Sequence, residues 1–363
     1  MFLGLKELRH NKSKYALIVG ILILLVFMVL FLSGLANGLA MATSGAIEDA
    51  KAEYYVLSED GDDIITRSTL SDMQLQGVLA MTTDTVTAID LQRMSIELEG
   101  DETKRDMTYM AVDPDSFMMP DVIEGNTLVK NDTGYSIVLD DSFKDDGVAI
   151  GDYVFDSTTG TKMKVVGFAK DILYGHTSMG IISTDTYTEI RTLITPSYEK
   201  VYHSFAIKGE DVENIRLEGV EVLSKASVIS NIPGYAQEQT TITMILWVLV
   251  IVSAAILGVF FYVITIQKLQ QFGVLKALGA EMKMLSGMII FQVLLLAGGS
   301  MIIGNILTFA MAGMLPNSMP FSLKSSSAIM ISLAFVVISV LCSLISLIKV
   351  AKVDPLITIG GNE

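Results

Sequence analysis

Charge disappears from four stretches of this chain, residues 15–40, 244–266, 285–314 and 327–348, each filled mainly with Leu, Ile, Val, Met, Phe and small residues. A bilayer core asks for about 20 predominantly apolar residues per helix, so each stretch is long enough to span. Between the first and second lies a polar block, 41–243, where the pattern changes to short alternating or β-branched runs. Residues 53–58, 135–139, 164–168, 180–183 and 205–208 predict strands. Residues 71–80 and 183–193 predict helices, the second with Thr184 or Asp185 as its cap. Residues 147–152, GVAIGD, predict a turn entering a strand at 153–155. Ile232-Pro233-Gly234-Tyr235 predicts a break, followed by a helix that continues into the second span. No internal repeat or low-complexity tract interrupts this order.

Charge sets the orientation. Lys6, Arg9, Lys12 and Lys14 precede the first span against Glu7 alone, and Lys268, Lys276 and Lys283 face only Glu281 between the second and third. Lys349 and Lys352 follow the fourth. The positive-inside rule therefore predicts that 1–14, 267–284 and 349–363 are cytoplasmic. Residues 41–243 carry 15 Lys+Arg against 36 Asp+Glu, a net −21, whereas the whole chain carries −15; the other segments together are thus +6. The acidic block and the 315–326 link are expected outside. The fold class is an integral membrane α-helical protein with four transmembrane helices and a mixed α/β extracellular domain between the first and second spans. It is expected to be a multi-pass protein of the cell membrane with both termini cytoplasmic. The sequence pI of 4.6 reflects the outer block, and no basic patch suits nucleic acid. The basic start and Ala40-Met41-Ala42 resemble a signal peptide, but the first apolar run exceeds the roughly 7–15 residues of an h-region, so it is expected to stay as a span. Cys342, the only cysteine, falls in the fourth span, so no disulfide can form within the chain and the outer domain must rest on its core.

Motifs that would carry catalysis are missing. No G-x-x-x-x-G-K-[ST] loop exists to cradle ATP phosphates, so any nucleotide energy must come from another chain. Neither H-E-x-x-H nor G-x-S-x-G occurs, and the histidines are only His10, His176 and His203. With 36 outer carboxylates, chance acidic pairs are expected, and a solvated acidic surface accounts for them. The chain is expected to have no enzymatic activity of its own.

Residues 267–280, QKLQQFGVLKALGA, form a short amphipathic pattern with apolar Phe272, Val274, Leu275 and Leu278 among basic residues. A polar hairpin between spans with a glycine stop accounts for it; docking of a short helix into a partner's groove does so equally. This stretch resembles the loop after the second span in FtsX/MacB-type permeases of ABC transporters. VDPLITIG at 353–360 is similar to that family's Asp-Pro ending. The resemblance covers the whole architecture: an amphipathic N-terminal helix over 1–14, the first span, the outer domain, then three spans. It implies MacB-like mechanotransmission, with Phe272, Gly273, Leu275, Lys276, Leu278 and Gly279 in a coupling helix seated on a separate ABC ATPase subunit. Two ATPase copies and a second copy of this permease, a homodimer, would form the working complex. ATP would be held by the partner subunit, and no cofactor is intrinsic to this chain.

A narrower resemblance lies in FLSGLANGL at 31–39, LYGHTS at 173–178, QEQ at 237–239, FYVITIQK at 261–268 and the closing Ile359-Gly360-Gly361. These are similar to the haem-exporter permeases of the HrtB type, which implies haem as the transported substrate and haem detoxification as the purpose. Gly34 and Gly38 beside Ser33 allow close helix contact, as expected of a first span near a dimer axis. Haem needs a flat apolar slot and one or two axial ligands. The resemblance makes Glu238, at the head of the second-span helix, the first haem-binding candidate, although an acidic residue in a first helical turn is also favoured by the macrodipole alone. A first-span methionine is its natural partner, Met28 or Met41. From Tyr15, about 20 residues at 1.5 Å each end the span near Leu35, with Met28 roughly 10 Å below that level and Met41 about 9 Å above it. Counting back from Ile266 sets Trp247 at the outer interface and Glu238 roughly 13 Å above it, level with Met41. Tyr235, Tyr174 and His176 are further haem-binding candidates; no metal is expected beyond haem iron. Membrane lipid is the other expected contact. Two readings stay open on this scaffold: export of an antimicrobial peptide or lipid, and FtsX-like signalling to a cell-wall hydrolase, which would need an exposed apolar patch.

Overall fold

The computed structural model describes residues 12–130, 134–316 and 319–351. The N-terminal helix expected over 1–14, except its last residues, and the Asp354-Pro355 ending lie outside the described residues. Helices α1 (Lys12–Glu48), α2 (Asp72–Met81), α3 (Thr184–Ile194), α4 (Lys225–Ser230), α5 (Tyr235–Gln267), α6 (Leu269–Ala277), α7 (Met282–Ala312) and α8 (Ser325–Ala351) follow in chain order. The strands are β1 (Tyr54–Ser58), β2 (Thr85–Leu98), β3 (Asp101–Val112), β4 (Val122–Gly125), β5 (Ser136–Asp140), β6 (Tyr153–Asp156), β7 (Lys162–Ala169), β8 (Leu173–Tyr174), β9 (Thr177–Ser183), β10 (Ser204–Lys208) and β11 (Val220–Ser224). Contacts divide the chain into two compact units, one of Gly38–Thr240 with Asn317–Pro320, the other of the remainder.

In the membrane unit, α1, α5, α7 and α8 are each long and apolar enough to cross a bilayer. Small residues set their spacing, as packing without a hydrophobic drive requires. Gly304 of α7 has Val26 of α1 where a Cβ would stand, 2.8 Å from its Cγ1. Gly258 of α5 faces Cys342 of α8, and Asn305 of α7 donates to Ser332 Oγ of α8 at 2.8 Å. The notch at Gly34, where the sequence allows close contact, is filled from within the chain. A Cβ there would overlap the ring of Phe321, which also lies 5.3 Å from the Phe31 ring. Ser322 N–H donates to the Gly34 carbonyl at 2.9 Å. Close approach at this glycine therefore serves the link after α7.

The outer unit is an 11-stranded sheet in the order β11-β1-β10-β2-β3-β9-β5-β7-β4, with β6 beside β2 and β7 and β8 beside β9. The runs read as strands become β1, β5, β6, β7, β9 and β10. The β2–β3 hairpin is an addition. Its outer half, bridged by Arg93–Asp106 at 2.9 Å and turned at Gly100 (φ +83), is charged enough to read as a loop. Helix α2 opens with Ser71, whose hydroxyl accepts from Gln74 N while Gln74 Oε1 accepts from Ser71 N, a capping box. Helix α3 is capped by Ser183, accepting from Thr186 N at 3.1 Å, and not by Thr184 or Asp185 as the sequence suggested. Ser183 is still extended as the last residue of β9, so it supplies the cap while Asp185 falls in the first turn. Tyr55, Phe168 and Phe205 are fully buried in the sheet's cores, each contributing about 1.5–3 kcal/mol. Helix α2 covers one end through Val78 and α3 the other through Tyr187 and Ile190.

Candidate functional site

Helix α1 continues past the apolar run as far as Glu48; residues 41–48 contain no proline, and Gly45 is the one weak helix former among them. In this part Ala42, Thr43, Ser44, Gly45 and Ala46 are buried. The β8–β9 hairpin lies against them. Its turn is Gly175-His176, between the paired residues Tyr174 and Thr177, and both take positive φ, +56 and +62. That is the requirement of a type I′ hairpin turn, met here by a histidine where Asn or Gly is usual. The turn donates two backbone hydrogen bonds to the helix, Gly175 N to Thr43 O at 2.9 Å and His176 N to Ala42 O at 3.0 Å. Gly45 permits the approach, since a Cβ there would sit 2.8 Å from the Asp171 carbonyl oxygen.

Glu238 arrives from the first turn of α5, which starts after Gly234 (φ +88). Thr43 Oγ1 donates to Glu238 Oε2 at 3.2 Å, and His176 Nε2 lies 3.1 Å from Thr43 Oγ1 and 3.4 Å from Glu238 Oε2. Both contacts to Glu238 fall on one carboxylate oxygen, Oε2. The Glu238 side chain is 22% exposed and that of His176 52%, so the cluster is rooted in the fold yet open to solvent. The N-terminal dipole of α5 favours the negative charge.

Of the residues expected to act together, Glu238 and His176 meet directly. Met41 is half-buried two residues before Thr43, its Cγ beside Gly45. Tyr174 and Tyr235 both pack on the core that includes Ala46 and Ile47. Tyr174 is buried, and burial pushes its phenol up to about 12, so it stays a neutral core residue. Met28 belongs to the membrane unit, where it is 46% exposed. Thr43 was not foreseen. A threonine in a helix usually bonds the carbonyl four residues back, as Thr43 does to Leu39 O at 3.0 Å, and nothing local marks a second task. Among the described residues no three His, Cys, Asp or Glu side chains gather as a metal cluster.

At the expected coupling segment, α6 follows α5 through Lys268 and closes at Gly279 (φ +92), with Ala280 N donating to Leu275 O at 3.0 Å. Val274, Lys276 and Leu278 are exposed, Gly273 is buried and Leu275 turns onto the core of the spans. The side chain of Phe272 lies outside the described residues. Lys268, only 7% exposed, donates to Gln292 Oε1 of α7 at 2.5 Å, and Gln292 is 4% exposed.

The family model of the MacB-like periplasmic core domain matches residues 15–220, and that of the FtsX-like permease C-terminal region matches 243–355. Two permeases whose names assign them to a hemin transport system, both HrtB, are similar over 100% of each chain. That of Staphylococcus haemolyticus is 27% identical and one of Staphylococcus epidermidis 28%. The periplasmic region of MacB from Actinobacillus actinomycetemcomitans is 12% identical with a TM-score of 0.36, covering 51% of this chain and 94% of that one.

Proposed function

The chain belongs to the MacB- and FtsX-like permeases of ABC transporters, and from that membership we propose that it expels haem from the cytoplasmic membrane, driven by a separate ATPase subunit. The observation that carries this reading is the Glu238 carboxylate, held at the head of α5 by one oxygen and open to solvent. A haem iron already has four macrocycle nitrogens and needs only one or two axial ligands, so a single well-placed carboxylate suffices where a bare ion would need a cluster. The full-length similarity to permeases named for hemin transport supports the same substrate.

Haem in the outer leaflet enters sideways between two copies of the permease and is held by Glu238 with Met41. His176 and Tyr235 flank it. ATP closes the partner ATPase dimer, and the motion enters the spans through α6, whose exposed Val274, Lys276 and Leu278 suit a partner's groove. The site then collapses and haem leaves toward the outer domain. Transport in this way requires that the two states differ in their affinity for haem. The test is an absorption titration of the purified chain with haemin. A saturable Soret band near one haem per chain or per dimer is expected, with Glu238→Ala weakening binding by about tenfold or more. A featureless, non-saturating titration would refute haem as substrate.

A further inference from the structure

We infer that Thr43 and His176 are positioning residues for Glu238, holding its Oε2 so that Oε1 is the oxygen offered to haem iron, and that neither binds the iron itself. This rests on the haem reading above and deepens it. Both side chains converge on the same oxygen, Oε2, at 3.2 and 3.4 Å. Thr43 is fully buried and β-branched, and its hydroxyl is tied to Leu39 O as well, so its rotamer is fixed. The single hydroxyl hydrogen is shared between Leu39 O and Glu238 Oε2, and in the tautomer that carries a proton on Nε2 the imidazole donates to the hydroxyl oxygen.

The backbone of His176 is constrained too. It stands at φ +62, pinned by its own N–H to Ala42 O and by its neighbour's to Thr43 O. Swinging the imidazole onto iron would surrender Nε2, which already serves Thr43 and lies against Glu238. Three separate elements, α1, the β8–β9 turn and α5, thus meet on one carboxylate. Outer partners of this kind orient a metal-binding carboxylate, and their loss typically costs about 10–100-fold in affinity.

The experiment is haemin titration of the full chain carrying Thr43→Val, Thr43→Ser or His176→Asn, following affinity and band positions separately. Thr43→Val keeps the shape and loses the hydroxyl, so binding should weaken by about 10–100-fold with unchanged bands. Thr43→Ser keeps the hydroxyl and should stay within about threefold of wild type. His176→Asn suits the left-handed backbone and removes the imidazole, so it too should weaken binding without moving the bands, and it decides the matter should Thr43→Val fail to fold. Wild-type affinity in both Thr43→Val and His176→Asn overturns the inference, as does a band shift in His176→Asn, which would put the imidazole on the iron. If wild-type chain binds no haemin, the haem reading itself falls, an outcome distinct from either of these.

Discussion

Gly45 is where helix α1 and the β8–β9 hairpin touch most closely, and replacing it by alanine separates two opposing effects. Alanine in a helix interior is favoured over glycine by about 1 kcal/mol. Here, however, its Cβ would stand 2.8 Å from the Asp171 carbonyl oxygen and 3.2 Å from Met41 Cγ. The methionine can yield. The carbonyl cannot easily do so, because Asp171 holds φ +55 and its oxygen accepts from Leu173 N at 3.1 Å. Restoring ordinary contact means backing the hairpin away by roughly half an ångström, an overpacking cost of about 1–3 kcal/mol. The same shift stretches the bonds to Thr43 O and Ala42 O, now 2.9 and 3.0 Å, to the edge of hydrogen-bonding range. Losing both costs about 0.5 kcal/mol each, at the low end because the turn stays near water. The net is a destabilisation of about 2 kcal/mol, or about 4–8 °C in the unfolding midpoint of a unit this size. Thermal unfolding of the full chain in detergent, followed by circular dichroism, reads it. Gly20→Ala is the control: Gly20 lies on the same helix with nothing within 4 Å of its would-be Cβ, and its change should be neutral or slightly stabilising. Equal midpoints for the two variants would refute the argument.

Lys268→Met should lower the unfolding midpoint by leaving the buried Gln292 amide without this partner, a cost of about 1–3 kcal/mol, while the double change with Gln292→Leu should recover much of it, since removing both partners is nearly neutral. A double variant as unstable as the sum of the singles would contradict that coupling. Glu221, on edge strand β11, is pushed up to about 7 by burial first, then by a hydrogen bond with Asp63 and by the charges of Asp63 and Glu59. A raised carboxyl contributes stability that is complete below its ordinary value of 4.5 and is lost as pH rises through about 7. Glu221→Gln should therefore flatten the stability profile between these values and raise the midpoint at pH 8 by about 1–3 °C; a lower midpoint at pH 8 would show that the two carboxyls do not oppose each other.

The spans, the outer α/β domain and most of its strands are legible in the sequence because each follows from a local periodicity. Residues 244–266 have no charge to satisfy, and the β-branched Val165-Val166 in 164–168 suits a strand. The β2–β3 hairpin escapes this reading, since Arg93 and Asp106 neutralise each other only across the finished pair. The cap of α3 shifts to Ser183 because β9 holds that residue extended until the helix begins. Gly34 shows the same limit: small size at a helix face foretells a close contact, and only packing assigns it to Phe321 of the same chain.

At the candidate site the sequence singled out Glu238 and His176 by residue type, by place along the chain and by resemblance. It did not reveal Thr43, which lies 133 residues from His176 and 195 from Glu238. Sequence by itself determined which segments leave water and which stay in it, because transfer free energy acts on each side chain where it stands. Only the tertiary structure decided which oxygen of Glu238 is held and by what, because a hydrogen bond depends on a few tenths of an ångström between atoms that chain order leaves far apart.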